Sequence, residues 1–121
     1  MPEETGLRRS DHWHSHMLDD NQRAEVRRAR LRDSAHRIAR KLVKAYGARK
    51  VFLFGSLKDA SLFPEDIDLA VEGLDDEKFY KAVFDVQGLA ECRVDILAVE
   101  DLSPRFRQFI SEKGELLYES H

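Results

Sequence analysis

Asp66 and Asp68 stand two residues apart in "EDIDLAV", at the head of an apolar run. Side chains of a strand alternate between its faces, so both carboxylates project to one side while Ile67 and Leu69 project to the other. Two carboxylates held close raise each other's pKa and are costly unless a cation neutralises them. A divalent ion with hard oxygen preference does so, and magnesium is commonly held by one or two carboxylates together with substrate phosphates. With nine residues between them and Asp66, Gly55 and Ser56 follow another apolar run. A glycine there lets the backbone turn sharply and lets a ligand come close. Ser56 adds a hydroxyl, and a helix starting just after it would aim free N–H groups at a phosphate. Lys58 is the nearby cation. Asp95, in "RVDIL", joins the same cluster if its strand pairs beside Ile67–Val71.

These residues need strands to carry them. Lys50–Phe54, apolar after its first residue and bounded by Gly47 and Gly55, reads as a central strand buried on both faces. Ile67–Val71 forms a second strand ended by Gly73, and Arg93–Val99 a third. Between them, Asp75–Val86 has helical spacing at Phe79, Val83 and Val86. Pro104 opens another helix through Phe106, Phe109 and Ile110, closed by Gly114, and Glu115–Tyr118 fits a short edge strand. Upstream, a long helix should run from Asp19 or Asp20, as N-caps, to about Tyr46 and stop at Gly47. Ala24, Leu31, Ala35, Ile38, Leu42 and Ala45 make its buried stripe. Strands alternating with helices give an α/β layer fold in one domain, residues 19–121.

Residues 1–18 lack periodicity and are expected to form a disordered tail. His12, His14 and His16 alternate around Trp13 there, but histidines on a loose tail have no preorganised cage for a metal. A net charge of −3 conceals a division: residues 23–50 carry eleven basic and two acidic groups, residues 51–121 seven and sixteen. Arg27, Arg30, Arg37, Lys41 and Lys44 recur on one face of the long helix. That face is solvated, docks a partner, or matches the acidic body internally. With one cysteine, Cys92, no internal disulfide can form, and no apolar run is long enough to cross a bilayer or serve as a signal peptide. A reducing, cytoplasmic setting is the expectation.

Three stretches carry a family resemblance: "FGS" at Phe54–Ser56, "DIDLAV" at Asp66–Val71 and "VDIL" at Val94–Leu97. Together they resemble the nucleotidyltransferase superfamily of DNA polymerase β. More narrowly, they resemble the minimal nucleotidyltransferase (MNT) group, over about residues 41–118. The resemblance implies an α/β (α+β) fold, a mixed sheet of about four strands with a long N-terminal helix and two further helices. It implies that Gly55, Ser56 and Lys58 bind the phosphates of ATP and that Asp66, Asp68 and Asp95 hold two magnesium ions. Asp95 would serve the ion that activates the attacking hydroxyl. Stand-alone members of the group imply a second protein: a HEPN-domain ribonuclease toxin, silenced when AMP is placed on one of its tyrosines. The implied role is therefore an antitoxin adenylyltransferase working in a hetero-oligomer, without a membrane, and with a protein acceptor ahead of nucleic acid. A binding-only antitoxin, or transfer to RNA or a small molecule, are the alternatives. The chain departs from the family at Leu57 and Asp59, where arginines are frequent, and at Glu65, where a small polar residue is usual.

Overall fold

Leu31, Ala35, Ile38 and Leu42 recur three or four residues apart and fall on one buried stripe of a long helix, α1 (Leu7–Tyr46). Ser34, Ala39 and Val43 widen that stripe, whereas Ala45 is exposed and Ala24 only half-buried. The computed structural model describes residues 7–59 and 62–121, with side chains from residue 21 onward.

The helix corrects one expectation. It begins at Leu7, and Asp19 and Asp20 lie within it rather than capping it. Residues 7–20 contain neither glycine nor proline, so nothing halts a helix already nucleated by its packed half. Gly6 is the first breaker met on the way towards Met1. Residues 1–6, the first part of the expected tail, lie outside the described residues, as do the side chains of His12, Trp13, His14 and His16. At the other end the chain leaves the helix at Gly47, whose φ of 83° suits a residue without a Cβ. There the Gly47 and Ala48 N–H groups still reach the carbonyls of Val43 (3.2 Å) and Leu42 (3.0 Å).

Four strands follow: β1 (Lys50–Phe54), β2 (Ile67–Glu72), β3 (Val94–Ala98) and β4 (Glu115–Glu119). Their order is β3-β2-β1-β4, with β1 antiparallel to both neighbours and β2 parallel to β3. Helix α2 (Asp76–Val86) makes the crossover that a parallel pair requires, and α3 (Pro104–Lys113) connects β3 to the edge strand β4. Ser103 caps α3 by accepting from the Phe106 N–H at 3.2 Å, with Pro104 in the first turn. The Gln87 amide covers the start of the β3 edge, donating to the Val94 carbonyl at 2.8 Å. Among the described residues, three α-helices and a four-stranded mixed sheet match the expected fold class.

The core lies on one side of the sheet. Val51, Leu53, Ile67, Leu69 and Val71 point to α1 and α2 and are fully buried. Phe52 and Phe54 point the other way and remain half-buried, so β1 is central but not buried on both faces. The short helix α3 reaches that side, where Phe106 meets Phe54 edge-on with ring centroids 6.1 Å apart.

Charge on α1 is largely matched within the molecule. Arg30 pairs with Glu91 at 3.0 Å, Arg32 with Glu115 at the start of β4, and Arg37 with Asp33 on its own helix. Lys44 stands over the Tyr118 ring at 5.9 Å. Among the described residues no helix is long and apolar enough to cross a membrane.

Candidate active site

Register brings the carboxylates together. In the parallel pair Asp68 lies directly beside Asp95, and in the antiparallel pair Phe54 lies beside Asp68. Asp68 and Asp95 therefore share the sheet face turned away from α1, and Asp66 precedes them by one pleat at the mouth of β2.

The chain reverses at Gly55 directly against this cluster. Gly55 has φ of 82°, and a Cβ there would overlap Asp68 Oδ2 while standing 3.0 Å from its Cγ and 3.2 Å from its Cβ. The glycine is thus required twice, for the left-handed backbone and for the room the Asp68 carboxylate occupies. Burial and the neighbouring charges of Asp95 and Asp66 raise the Asp68 pKa above the usual aspartate range, and Arg93 opposes them. Arg93 Nε also donates to Asp95 Oδ1 at 2.9 Å, so an exposed guanidinium neutralises one member of the cluster.

No helix begins after Ser56, contrary to the geometry that would aim a row of N–H groups at a phosphate. The segment forms a hydrogen-bonded turn in which the Lys58 and Asp59 N–H groups both return to the Gly55 carbonyl at 3.2 Å. Helix α1 holds this loop in place. Arg28 donates to the carbonyls of Ser56 (3.2 Å) and Leu57 (2.8 Å), and to that of Leu62. Arg27 holds the Pro64 (2.6 Å) and Glu65 (3.0 Å) carbonyls. Part of the basic face of α1 is therefore the scaffold of the loop that joins Gly55 to Asp66. Sequence reasoning singled out Arg27 only as one of a stripe and passed over Arg28. The available signal was a pair of arginines just before the buried stripe begins.

Gly55, Ser56 and Lys58 line a cleft of about 570 Å³ whose opposite wall is the Phe109 and Lys113 end of α3. Leu57 does not face it; its side chain is wholly buried in the core. At this departure from the family pattern the chain carries a core anchor. Neither the 570 Å³ cleft nor a second groove of about 490 Å³, against α1 at Val26, Arg27, Arg30 and Phe63, is lined by Asp66, Asp68 or Asp95; Gly55 is what joins the first cleft to Asp68.

The donor set suits a hard cation: three carboxylates on two adjacent strands, one of them held at unfavourable charge. Among the described residues, however, no three His, Cys, Asp or Glu side chains are already arranged to hold an ion. The carboxylates are assembled by the sheet but not closed into a cage, and Arg93 occupies one of them.

A testable consequence concerns Asp68. An aspartate whose folded pKa is raised favours the protonated native state, so its penalty grows as pH rises from the unfolded to the folded pKa and is complete above both. Without divalent ions, Asp68→Asn should therefore melt above the wild type at neutral pH. The gain should vanish as pH falls below the ordinary aspartate range, about 3.9. Melting curves across pH check this, and a lower melting temperature at neutral pH would contradict it.

Comparison with solved structures gives consistent likenesses of fold. A chain of a toxin–antitoxin crystal structure with AMP-PNP superposes with a TM-score of 0.58 at 21% identity, covering 71% of this chain and 74% of that one. A chain from a complex of tri-AMPylated Shewanella oneidensis HEPN toxin with MNT antitoxin gives 0.52 at 20% identity, covering 73% and 69%. A protein described as a minimal nucleotidyltransferase gives 0.55 at 26% identity, covering 68% of this chain and 88% of that chain. No curated protein sequence matches. The sequence profile of "Polymerase beta, Nucleotidyltransferase" matches residues 36–121, a span that holds all four strands and Gly55, Ser56, Asp66, Asp68 and Asp95. The chain belongs to this nucleotidyltransferase family.

Proposed function

We propose that the chain is a magnesium-dependent adenylyltransferase that moves AMP from ATP to a tyrosine of a HEPN-domain toxin and thereby acts as its antitoxin. One observation carries the reading: Asp68 and Asp95 stand in register on one face, packed against a Gly55 turn that opens into a cleft. Likeness of fold to chains from toxin–antitoxin assemblies, one with AMP-PNP and one with a tri-AMPylated HEPN toxin, supports the choice of nucleotide, acceptor and hetero-oligomer.

Asp66, Asp68 and Asp95 would hold magnesium, which when bound supplies charge neutralisation at the attacking and leaving oxygens. The chain's own contribution is placement. Gly55, Ser56 and Lys58 seat the phosphates beside the aspartates, and Arg27 and Arg28 keep their loop in shape. The tyrosine oxygen then bonds to the α-phosphorus as the bond to the pyrophosphate oxygen breaks, and the hydroxyl proton is released on the Asp95 side. A chain that merely masked its partner would gain nothing from an Asp68 kept at unfavourable charge.

The test is to incubate the chain with ATP, magnesium and a purified HEPN-domain protein encoded beside it, then weigh the partner by mass spectrometry. A mass gain of one or more AMP groups on a tyrosine is expected. Tight binding without any mass gain would replace this reading with a masking antitoxin.

A further inference from the structure

Positive charge at the cleft comes from two places. Lys58 rises from the turn after Ser56, and Lys113 from the last turn of α3 on the facing wall. Among the described residues neither forms an ion pair, although most arginines of α1 near the site are engaged by carbonyls or carboxylates. Both cations are thus uncommitted at the mouth of one cleft. The rest of the lining is Phe54, Gly55, Ser56, Asp59, Leu62 and Phe109, the last 50% exposed, so one carboxylate shares the cleft with the two lysines. A cleft of about 570 Å³ with an aromatic wall and two free ammonium groups suits a ligand that is part ring and part polyanion.

α3 ends at this place, and its carbonyls direct the negative end of its dipole there. That end would repel a phosphate unless a cation covered it. Lys113, in the last turn, is the residue able to do so. On the turn side, Leu57 is buried and brings no charge to the cleft.

Resting on the nucleotidyltransferase reading, we propose that Lys113 is a phosphate-positioning residue. The phosphates of a nucleoside triphosphate lie between Lys58 and Lys113, so the α3 wall supplies charge that the Gly55–Lys58 turn lacks. Loss of an exposed ammonium contact to a polyanion weakens binding by about tenfold.

The experiment titrates AMP-PNP with magnesium into the full chain and its Lys113→Ala, Lys113→Glu and Lys113→Arg variants by calorimetry, and compares KM with kcat for transfer. Lys113→Ala should raise Kd and KM about tenfold, Lys113→Glu more, with kcat nearly constant and Lys113→Arg close to wild type. Melting temperatures without nucleotide should not change. If the wild type binds AMP-PNP and the alanine and glutamate variants bind it equally well, the proposal is overturned while the nucleotidyltransferase reading stands. Failure of the wild type to bind AMP-PNP would overturn both.

Discussion

Gly55→Ala should lower nucleotide transfer by about 100-fold or more, a loss that a small misplacement of reacting groups is enough to cause. Two effects act at this position. The left-handed backbone costs a residue with a Cβ about 1–2 kcal/mol. The new methyl would also overlap the Asp68 carboxylate and drive it out of line with Asp95. Gly47→Ala separates the two effects. Gly47 has nearly the same φ, 83° against 82°, but nothing lies within 4 Å of a Cβ built there. It sits at the opposite end of β1 from the aspartates. Gly47→Ala should therefore lose only the backbone part of the stability, by melting or urea titration, and Gly55→Ala at least as much, while only Gly55→Ala loses transfer. Equal transfer rates in the two would show that Asp68 tolerates displacement, and the tight glycine contact would then be structural only.

Much of this site could be read from residue types alone, because strand alternation and register are strong constraints. Asp66 and Asp68 had to share a face, and a parallel β3 beside β2 had to place Asp95 next to them. Other features depended on contacts that no local pattern encodes. The turn after Ser56 is tied down by Arg28, some thirty residues upstream, which donates to its carbonyls. The role of Lys113 depends on where α3 ends against Gly55, a tertiary fact rather than a periodicity. Apolarity also misled at β1: Phe52 and Phe54 suggested burial on both sides, whereas the short helix α3 leaves their face half-buried. The start of α1 escaped for a different reason. Two aspartates that make good caps are also tolerated inside a helix once neighbouring turns hold it.

The departures from the family pattern become intelligible in the same terms. Leu57 is a core residue under the Gly55 turn. Glu65 presents its carbonyl to Arg27, and its N–H points to Ser56 Oγ at 3.5 Å, so the backbone at that position matters more than its side chain. Neither substitution disturbs the alignment of Asp68 with Asp95.

Under the proposed function, the paired aspartates are carboxylates kept for chemistry at the expense of stability. Replacing both Asp66 and Asp68 with alanine removes two of the three groups proposed to hold magnesium. It also relieves the repulsion that raises the Asp68 pKa. The most direct measurement follows label from α-phosphate-labelled ATP into the acceptor protein, for the wild type and Asp66→Ala/Asp68→Ala, with melting curves recorded without magnesium. Transfer should fall to background, a loss on the order of 1,000-fold or more. The double variant should melt at or above the wild-type temperature, because the sheet keeps its register and loses only like charges. Undiminished transfer by a folded double variant would contradict the account.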